Sequence, residues 1–305
     1  MISPPARTVL WSSMREILPA IESAWRPFNP KVVYPASAAA FFEALPALLT
    51  AKRIVVTFLN AHSVTAMRVL RQEYGSRVPF VIYLHGDGTN GAQALTELNG
   101  LLTKQDQFIS SCSADARALR LCLHGAKVHV IPFPLGAKAR KPRVVANPPL
   151  VYVGRVSEQK NLHTLIWSLW VLKAVFKRPM RLSIYGREDG YGSPNMNLHT
   201  PNLGRRLKAL AKRLGVEALI EWRGHCESAT LEREVYSKHH VFVSASLHAD
   251  ENFGLAAFRS LCSGNPAALT RWGAHTDLYR KFRGRVRLAR VYRGSHGPFV
   301  SPLEL

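Results

Sequence analysis

The sequence has few acidic residues, few cysteines and no long apolar run. Its 305 residues include 20 Asp and Glu against 41 Lys and Arg, and its four cysteines are widely separated with no Cys-x-x-Cys pair. No apolar stretch approaches the ~20 residues of a membrane-spanning helix, and the N-terminus MISPPARTVLWSS lacks a secretory pattern. These absences argue against a disulfide framework, a metal site and secretion, and they predict a cytoplasmic protein with free thiols.

The excess of positive charge is the strongest compositional feature, with a formal net charge of +21. Such an excess attracts phosphates on nucleic acid, on an anionic membrane surface or on a small substrate. Two segments concentrate it. GRRLKALAKRLG (204–215) predicts a helix with a solvated basic face, and YRKFRGRVRLARVYRG (279–294) alternates basic and apolar residues as a half-exposed strand would. Neither interleaves aromatics for base stacking, so nucleic acid is the least favoured partner.

Short apolar segments alternate with helical patterns along the whole chain, which predicts an α/β protein with parallel sheets. Strand candidates in the first half are RTVLW (7–11), KVVY (31–34), RIVVTFL (53–59), FVIYLHG (80–86), DQFISS (106–111) and KVHVIPF (127–133). The basic, proline-containing segment 138–149 predicts a linker, after which the same alternation restarts. We therefore expect two doubly wound, Rossmann-like domains, residues 1–140 and 149–305, facing a cleft.

The segment VYVGRVSEQKN (151–161) predicts a strand, a turn at Gly154 and a helix that begins near Asn161. Ligands of doubly wound sheets bind beyond the carboxyl ends of the strands. Here Arg155 and Lys160 would add two cations to the positive end of a helix, a combination that suits a diphosphate. The alternative is an ordinary strand–turn–helix connection whose Arg and Lys are solvated.

The segment DENFGLAAFRSLCSGNPAAL (250–269) predicts a second junction of this kind, a loop that leads into a helix ending near Gly264. Glu251 could accept two sugar-type hydroxyl groups. Anionic or hydroxyl oxygens could bind the backbone N–H groups of Phe253, Gly254 and Leu255. The alternative for Asp250 or Asn252 is a helix N-cap, which these residue types favour.

GRVSEQKN and ENFGLAAFRSLCSGNPAALTRWGAHTDL together resemble the retaining glycosyltransferases of family 4 (glycosyltransferase group 1), which have the GT-B fold. In the first half, residues 58–89 and 108–134 resemble the family's His-bearing strands and its strand–Ser–helix–strand unit. The resemblance implies an N-terminal acceptor-side domain and a C-terminal domain that binds a nucleotide-sugar donor. It also implies that the nucleotide-diphosphate sugar is a co-substrate and that no other cofactor or metal is needed.

The resemblance implies roles for individual residues. Arg155 and Lys160 match the cations that hold the donor diphosphate, and Glu251 matches an acid that contacts the donor sugar. His85, in the segment HGDGT, matches a histidine near the sugar and the reaction centre. Catalytic roles are therefore predicted for Arg155, Lys160, Glu251 and His85. The predicted donor-binding set is Gly154, Arg155, Lys160, Arg223, Glu251, Asn252, Phe253, Gly254, Leu255 and Arg259.

Arg259 is the main departure from the family pattern. It occupies the position of the second acid of an E-x7-E pair, which should bind the ribose hydroxyl groups. A guanidinium group only donates hydrogen bonds, so it cannot replace a carboxylate acceptor. Three interpretations are open: Arg259 binds a phosphate, donor binding is weak or lost, or Arg259 is a surface residue. The chain also ends at HGPFVSPLEL, before the final helices that the resemblance implies, which predicts a short variant or a truncated chain.

The expected function is a retaining glycosyltransferase that moves a sugar from a nucleotide-sugar donor to an unknown acceptor. The charge would suit a cell-envelope glycan or lipid precursor and peripheral contact with the anionic inner face of a membrane. A catalytically silent GT-B protein that binds a nucleotide, glycan or protein partner is the alternative, favoured by Arg259. A basic nucleic-acid-binding protein ranks third, because no helix-turn-helix, zinc or RNP-type signature is present.

Overall fold

The computed structural model describes residues 1–4, 14–34, 37–85, 96–98, 100–123, 125–136, 139–142, 146–189, 200–248 and 251–305. The chain divides into two compact units, Met1–Gly136 and Ala137–Leu305. The predicted strand RTVLW and Asp250 lie outside the described residues.

The first unit contains a four-stranded parallel sheet with the order β1-β2-β3-β4. Its elements are α1 (Met14–Trp25), α2 (Ala38–Leu49), β1 (Ile54–Val56), α3 (Ala61–Gln72), β2 (Phe80–Leu84), β3 (Gln107–Ser110), α4 (Ser113–Cys122) and β4 (Lys127–Val130). All five residues of β2 are buried, as expected of an inner strand covered on both faces. Of the predicted strand 31–34, only Val33 pairs, in an isolated bridge with Ile2.

A buried ion pair connects helix α3 to the loop before β3. Arg71 Nη2 lies 2.8 Å from Asp106 Oδ1, and the same carboxylate accepts the backbone N–H groups of Phe80 and Thr103. The Arg71 guanidinium also lies over the Phe80 ring. Because every oxygen of Asp106 is hydrogen-bonded, this charge is tolerated inside the unit and fixes the entry into β2 and β3.

The second unit contains a six-stranded parallel sheet with the order β10-β9-β8-β5-β6-β7. Its elements are β5 (Leu150–Val153), α5 (Leu162–Ala174), β6 (Leu182–Tyr185), α6 (Leu203–Arg213), β7 (Ile220–Gly224), the short α7 (Ser228–Thr230), a π-helix (Leu231–Tyr236), β8 (Val241–Ser244), α8 (Leu255–Cys262), β9 (Ala267–Thr270), α9 (His275–Lys281) and β10 (Val286–Ala289). An antiparallel hairpin, β11 (Val291–Gly294) with β12 (Gly297–Val300), follows. These sheets and the order of their elements confirm the predicted α/β fold.

The basic segment 279–294 differs from its prediction as a single half-exposed strand. Helix α9 continues to Lys281, and β10 begins only at Val286, so Arg283 and Arg285 precede the strand. Gly284, with a positive φ of 80°, makes the turn between the two elements. Tertiary pairing with β9 selects the strand start, which periodicity alone does not locate.

The predicted basic helix 204–215 is confirmed as α6, which buries Leu207 and Ala211 against α5 and the sheet. Its five cations are exposed. In the described part of the chain, none of the helices combines the length and the apolar content needed to cross a bilayer.

Candidate donor-binding site

Two loops of the second unit meet at the carboxyl ends of β5 and β8, which are neighbours in the sheet. Lys160 Nζ lies 2.6 Å from Glu251 Oε2, and Ser246 donates its hydroxyl to the same oxygen at 2.6 Å. The side chains of Lys160 and Glu251 are 17% and 11% exposed. The loops are joined through the backbone by Leu247, whose N–H donates to the Gln159 carbonyl at 2.9 Å. Two residues 91 positions apart in the chain therefore form one charged pair.

Glu251 is ionised at neutral pH although it is buried. Burial by itself would raise the pKa of this carboxyl, but the charge of Lys160 and its hydrogen bond outweigh burial and hold the pKa well below the ordinary range. His275 and His248 also face the carboxylate. Burial lowers the pKa of both histidines, so they are neutral at pH 7 and Lys160 supplies the stabilising charge.

Arg155 is held by two partners at the end of β5. One guanidinium nitrogen forms an ion pair with Asp189, and Nη2 lies 3.0 Å from His248 Nε2. Because guanidinium only donates, Nε2 of His248 must be the unprotonated ring nitrogen. Burial and the nearby Lys160 lower the pKa of His248 to about 3, which keeps it in this acceptor form. The Trp272 indole N–H fixes the same loop by donating to the His248 carbonyl at 2.8 Å.

A second layer of hydrogen bonds supports the Glu251 loop from β9 and α9. Thr270 donates its hydroxyl to the Ser246 carbonyl at 2.6 Å and lies 3.1 Å from His275 Nδ1. Since that hydroxyl proton is already used, Nδ1 of His275 is the donor to Thr270. The Ala274 N–H also donates to the Glu251 carbonyl at 2.7 Å. Both the side chain and the backbone of Glu251 are thereby positioned.

The helix after Glu251 begins at Leu255, with Gly254 in the left-handed conformation at its N-cap. The alternative that Asn252 caps the helix is therefore wrong, because the cap lies two residues later and has no side-chain hydrogen bond. Gly254 is required here, since its φ is +66° and a Cβ would press on Leu278 and His275. Within the described residues, the Gly254 and Leu255 amides have no acceptor. Phe253 is buried. The predicted end of the helix near Gly264 is confirmed.

Gly154 separates β5 from Arg155, and its surroundings are crowded. A Cβ on Gly154 would meet the Tyr152 hydroxyl, which donates to the Arg155 carbonyl at 2.7 Å. A Cβ on Gly186 would overlap the Gly154 carbonyl oxygen. The two glycines thus let the ends of β5 and β6 lie close together beneath Arg155.

Arg259 and Arg223 each form an ion pair with an acid other than Glu251. Arg259 Nε is 3.4 Å from Glu232 Oε1 in the π-helix, and its side chain is 19% exposed. Arg223 is exposed on the edge strand β7, where its Nη2 lies 2.6 Å from Glu221 Oε2. The ion-pair partners of the two arginines are therefore Glu232 and Glu221. Arg259 is partly exposed and ion-paired, and the three interpretations of this position stay predictions.

His85 lies in the first unit, at the end of β2. One ring nitrogen, Nε2, donates to the Thr57 carbonyl, and the ring packs against Phe58, Tyr83 and Phe133. Burial lowers its pKa to about 4, so the imidazole is neutral. Nδ1 is buried without a partner among the described residues, which leaves a lone pair that could accept a hydrogen bond.

Several residues that build this arrangement were not assigned roles by the motifs. Ser246, His248, Thr270 and His275 support Glu251 and Arg155, and Asp189 binds Arg155. Ser246 and Thr270 lie at or just beyond the carboxyl ends of β8 and β9, so the strand-end rule could have selected them. Asp189 lies beside a segment with no strand or motif signal. Among the described residues, no group of three or more His, Cys, Asp or Glu could hold a metal ion.

Residues 138–283 match the family model described as glycosyl transferases group 1. The match covers most of the second unit, including both loops of the candidate site, and nearly half of the whole chain. No curated protein sequence gives a significant match.

Several solved structures share the fold. The lipopolysaccharide outer core galactosyltransferase WaaB is 15% identical with a TM-score of 0.51, over 76% of this chain and 60% of that chain. The pneumococcal O-GlcNAc transferase GtfA, solved with UDP and GlcNAc, is 18% identical with a TM-score of 0.51, over 78% and 46%. Anabaena Alr3699/HepE, solved with UDP, is 16% identical with a TM-score of 0.55, over 85% and 72%.

The fold is therefore the α/β fold of the GT-B glycosyltransferases, with a Rossmann-like sheet in each unit. The second unit, through its family match, is similar to a group 1 glycosyl transferase domain. The chain spans 60% of the WaaB chain and 46% of the GtfA chain, which is less than two thirds of either.

The buried histidines predict that the protein loses stability in mild acid. Burial lowers the pKa of His85 and His240 to about 4 and that of His248 to about 3. Below the ordinary histidine pKa near 6.5, the unfolded chain binds protons on these side chains and the folded chain does not. The stabilisation is therefore complete above that pH and is lost as pH falls. We expect the free energy of unfolding to drop between pH 7 and 4.5, by up to about 1.4 kcal/mol per pH unit for each histidine.

Urea unfolding at several pH values measures this slope. His240 is the best single probe, because it lies outside the candidate site and bonds Ser260 at 2.8 Å. His240→Gln should reduce the slope, whereas His296→Gln, at an exposed position, should leave it unchanged. An identical slope in wild type and His240→Gln would contradict the assignment.

Proposed function

We propose that this chain is a glycosyltransferase that moves a sugar from a nucleotide-diphosphate donor to an acceptor and retains the anomeric configuration. The observation that carries the proposal is the Lys160–Glu251–Ser246 cluster beside Arg155, at the carboxyl ends of adjacent strands. It lies within the segment that matches the group 1 model. UDP-bound GtfA and HepE support a nucleotide-sugar donor for this fold.

The cations of the site keep enough hydrogen-bonding capacity for a diphosphate. An ammonium group has three donors and a guanidinium group has five. Lys160 therefore has donors left beside its bond to Glu251, as does Arg155 beside Asp189 and His248. The hydroxyl of Ser157, at the start of the same turn, is buried without a partner among the described residues. These donors would stabilise the charge that develops on the leaving diphosphate, without a metal.

Glu251 would orient the donor sugar. Its Oε2 already accepts from Lys160 and Ser246, so Oε1 is the oxygen that can accept a sugar hydroxyl. The bond between the anomeric carbon and the diphosphate breaks, a bond to the acceptor oxygen forms, and a donor phosphate oxygen takes the acceptor proton. A role for His85 beside the sugar remains a prediction from the family resemblance. So do a hexose as the transferred sugar and an envelope glycan or lipid precursor as acceptor.

A catalytically silent protein is the second candidate, and the Arg259–Glu232 pair favours it. Arg259 cannot accept hydrogen bonds from ribose hydroxyl groups. Its guanidinium forms an ion pair with Glu232 of the π-helix. The charge-swapped variant Arg259→Glu/Glu232→Arg therefore places a carboxylate at 259 and preserves an ion pair between the two helices.

A thermal-shift panel with UDP, GDP and ADP, followed by a donor-hydrolysis assay, tests both candidates. One nucleotide should raise the melting temperature of the wild type, because a ligand at 100 times its Kd adds about 2.7 kcal/mol. A shift only in the charge-swapped variant would favour the silent protein. If no nucleotide shifts either protein, the donor-site assignment is wrong. Arg287→Glu, at an exposed position of the edge strand β10, controls for the change in charge.

A further inference from the structure

The opposite edge of the second sheet, where its parallel strands begin, carries nearly uniform positive charge. Parallel strands place all their amino ends at one edge, together with the carboxyl ends of the crossover helices. The segments at this edge are 139–142, 173–181, 212–217, 237–240 and 281–285. They hold twelve Lys and Arg and a single acid, Glu217. We call these five segments the basic edge.

Hydrogen bonds show that segments distant in the chain are neighbours at the basic edge. Arg285 Nη1 donates to the Arg140 carbonyl at 2.9 Å, and the Arg140 N–H donates to the Cys262 carbonyl at 2.7 Å. Lys173 Nζ donates to the Gly215 carbonyl at 2.6 Å, which brings the ends of α5 and α6 together. The strand order places segment 237–240, which precedes β8, between these two groups, so the five segments follow one another along this side of the second unit.

One corner of the basic edge also exposes apolar side chains. Val175 and Phe176 follow directly after α5 and are 54% and 55% exposed. Lys173, Lys177 and Arg178 surround them in the chain, and all three are exposed. Two adjacent apolar side chains among cations combine the two contributions that bind proteins to anionic lipid, charge attraction and apolar insertion.

We propose that the basic edge binds the surface of an anionic lipid bilayer, with Val175 and Phe176 entering the interface. The single sign of the charge complements anionic headgroups, each nearby cation contributing about 1 kcal/mol. Phe176 beside the aliphatic Val175 suits an acyl interface better than a nucleic acid, because a branched aliphatic side chain offers no ring face for base stacking. Lys160 and Glu251 lie at the other edge of the same sheet, so this contact leaves the candidate donor site accessible.

Vesicle co-sedimentation of the full chain tests the proposal, with phosphatidylcholine alone and with equal parts of phosphatidylcholine and phosphatidylglycerol. We expect binding only to the anionic vesicles. Lys177→Glu/Arg178→Glu should weaken it at least about 30-fold, since two cations contribute about 1 kcal/mol each and 1.4 kcal/mol is tenfold. Phe176→Ser should weaken it about tenfold, and this loss should persist at high salt because apolar burial is not screened.

The matched control is Arg205→Glu/Arg206→Glu, which makes the same charge change in the first turn of α6, at the other edge of the sheet. It should change binding less than about threefold, because screening limits charge effects to about 10 Å. Leu303→Ser, at a side chain 64% exposed, controls for lost apolar surface. Equal binding to both vesicle types, or equal losses in test and control variants, would overturn the proposal. So would tighter binding to duplex DNA or RNA with the same pattern of losses.

The outcome is independent of the proposed transferase activity. The variants that remove lipid binding lie outside the Lys160–Glu251 cluster, so nucleotide shifts should be unchanged in them. Lipid binding without any nucleotide shift would overturn the proposed function alone.

Discussion

Lys160→Met is expected to lower sugar transfer by roughly 100- to 1000-fold, the usual effect of removing one preorganised charge stabiliser. Lys160 is proposed to face the leaving diphosphate, and it is also the partner of Glu251 at 2.6 Å. The variant should therefore lose both the electrostatic stabilisation and the position of the carboxylate. Transfer rates with the donor identified by thermal shift measure the effect. Lys212→Met, an exposed cation at the end of α6, should retain full activity.

The same variant should reverse the contribution of Glu251 to stability as pH changes. In the wild type, the lowered pKa of Glu251 gives a contribution that is complete above the ordinary value and is lost as pH falls. Without Lys160, burial dominates and raises the pKa of Glu251 above the ordinary value. With a raised pKa, the contribution of Glu251 to stability is complete below the ordinary carboxyl pKa and is lost as pH rises. The destabilisation of Lys160→Met relative to wild type should therefore grow toward neutral pH, to about 3–5 kcal/mol.

Urea unfolding of Lys160→Met between pH 4 and 8, relative to wild type, measures this difference. The double variant Lys160→Met/Glu251→Gln has no carboxylate at this position to titrate. Its loss of unfolding free energy relative to wild type should therefore not grow toward neutral pH. Near-normal transfer by Lys160→Met would remove Lys160 from the diphosphate assignment. A pH-independent loss of stability would mean that Glu251 is held by other groups.

The parallel sheets were predictable from local pattern, because buried strands and amphipathic helices leave distinct apolar periodicities. Segments such as FVIYL and LVYV are entirely apolar apart from tyrosine, and both form inner strands. Glycines at the ends of strands and helices were also informative, since Gly254 and Gly264 both have a positive φ. The start of β10 was missed because its apolar alternation continues backward through Arg283 and Arg285 without marking where pairing begins.

The candidate site was only partly predictable, because its contacts depend on the order of strands in the sheet. Motifs selected Lys160 and Glu251 separately, but their pairing follows from β5 and β8 being neighbours. The ion-pair partner of Arg259 could not be predicted from the sequence, for a similar reason. Glu232 lies in a π-helix whose packing on α8 no periodicity specifies, so no interpretation of Arg259 from the sequence included this acid.

Gly186→Ala is expected to destabilise the second unit by about 3 kcal/mol or more and to weaken nucleotide binding. Gly186 has a φ of +149°, and an added Cβ would overlap the Gly154 carbonyl oxygen. Its N–H donates to the Gly224 carbonyl at 2.7 Å, while the Gly154 N–H donates to the Tyr185 carbonyl at 2.9 Å. The methyl group can therefore fit only if the β5 loop that carries Arg155 moves.

Gly224→Ala separates this steric effect from backbone strain alone. Gly224 also has a positive φ, +67°, but among the described residues nothing lies within 4 Å of a Cβ placed there. Gly224→Ala should lower the free energy of unfolding by only about 1 kcal/mol and leave nucleotide binding intact. Urea unfolding and nucleotide titration of both variants measure the contrast. Equal losses of stability would show that strain, and not the approach of β6 to Gly154, dominates. Normal nucleotide binding by Gly186→Ala would show that the position of the Gly154–Arg155 backbone does not determine how the diphosphate is held.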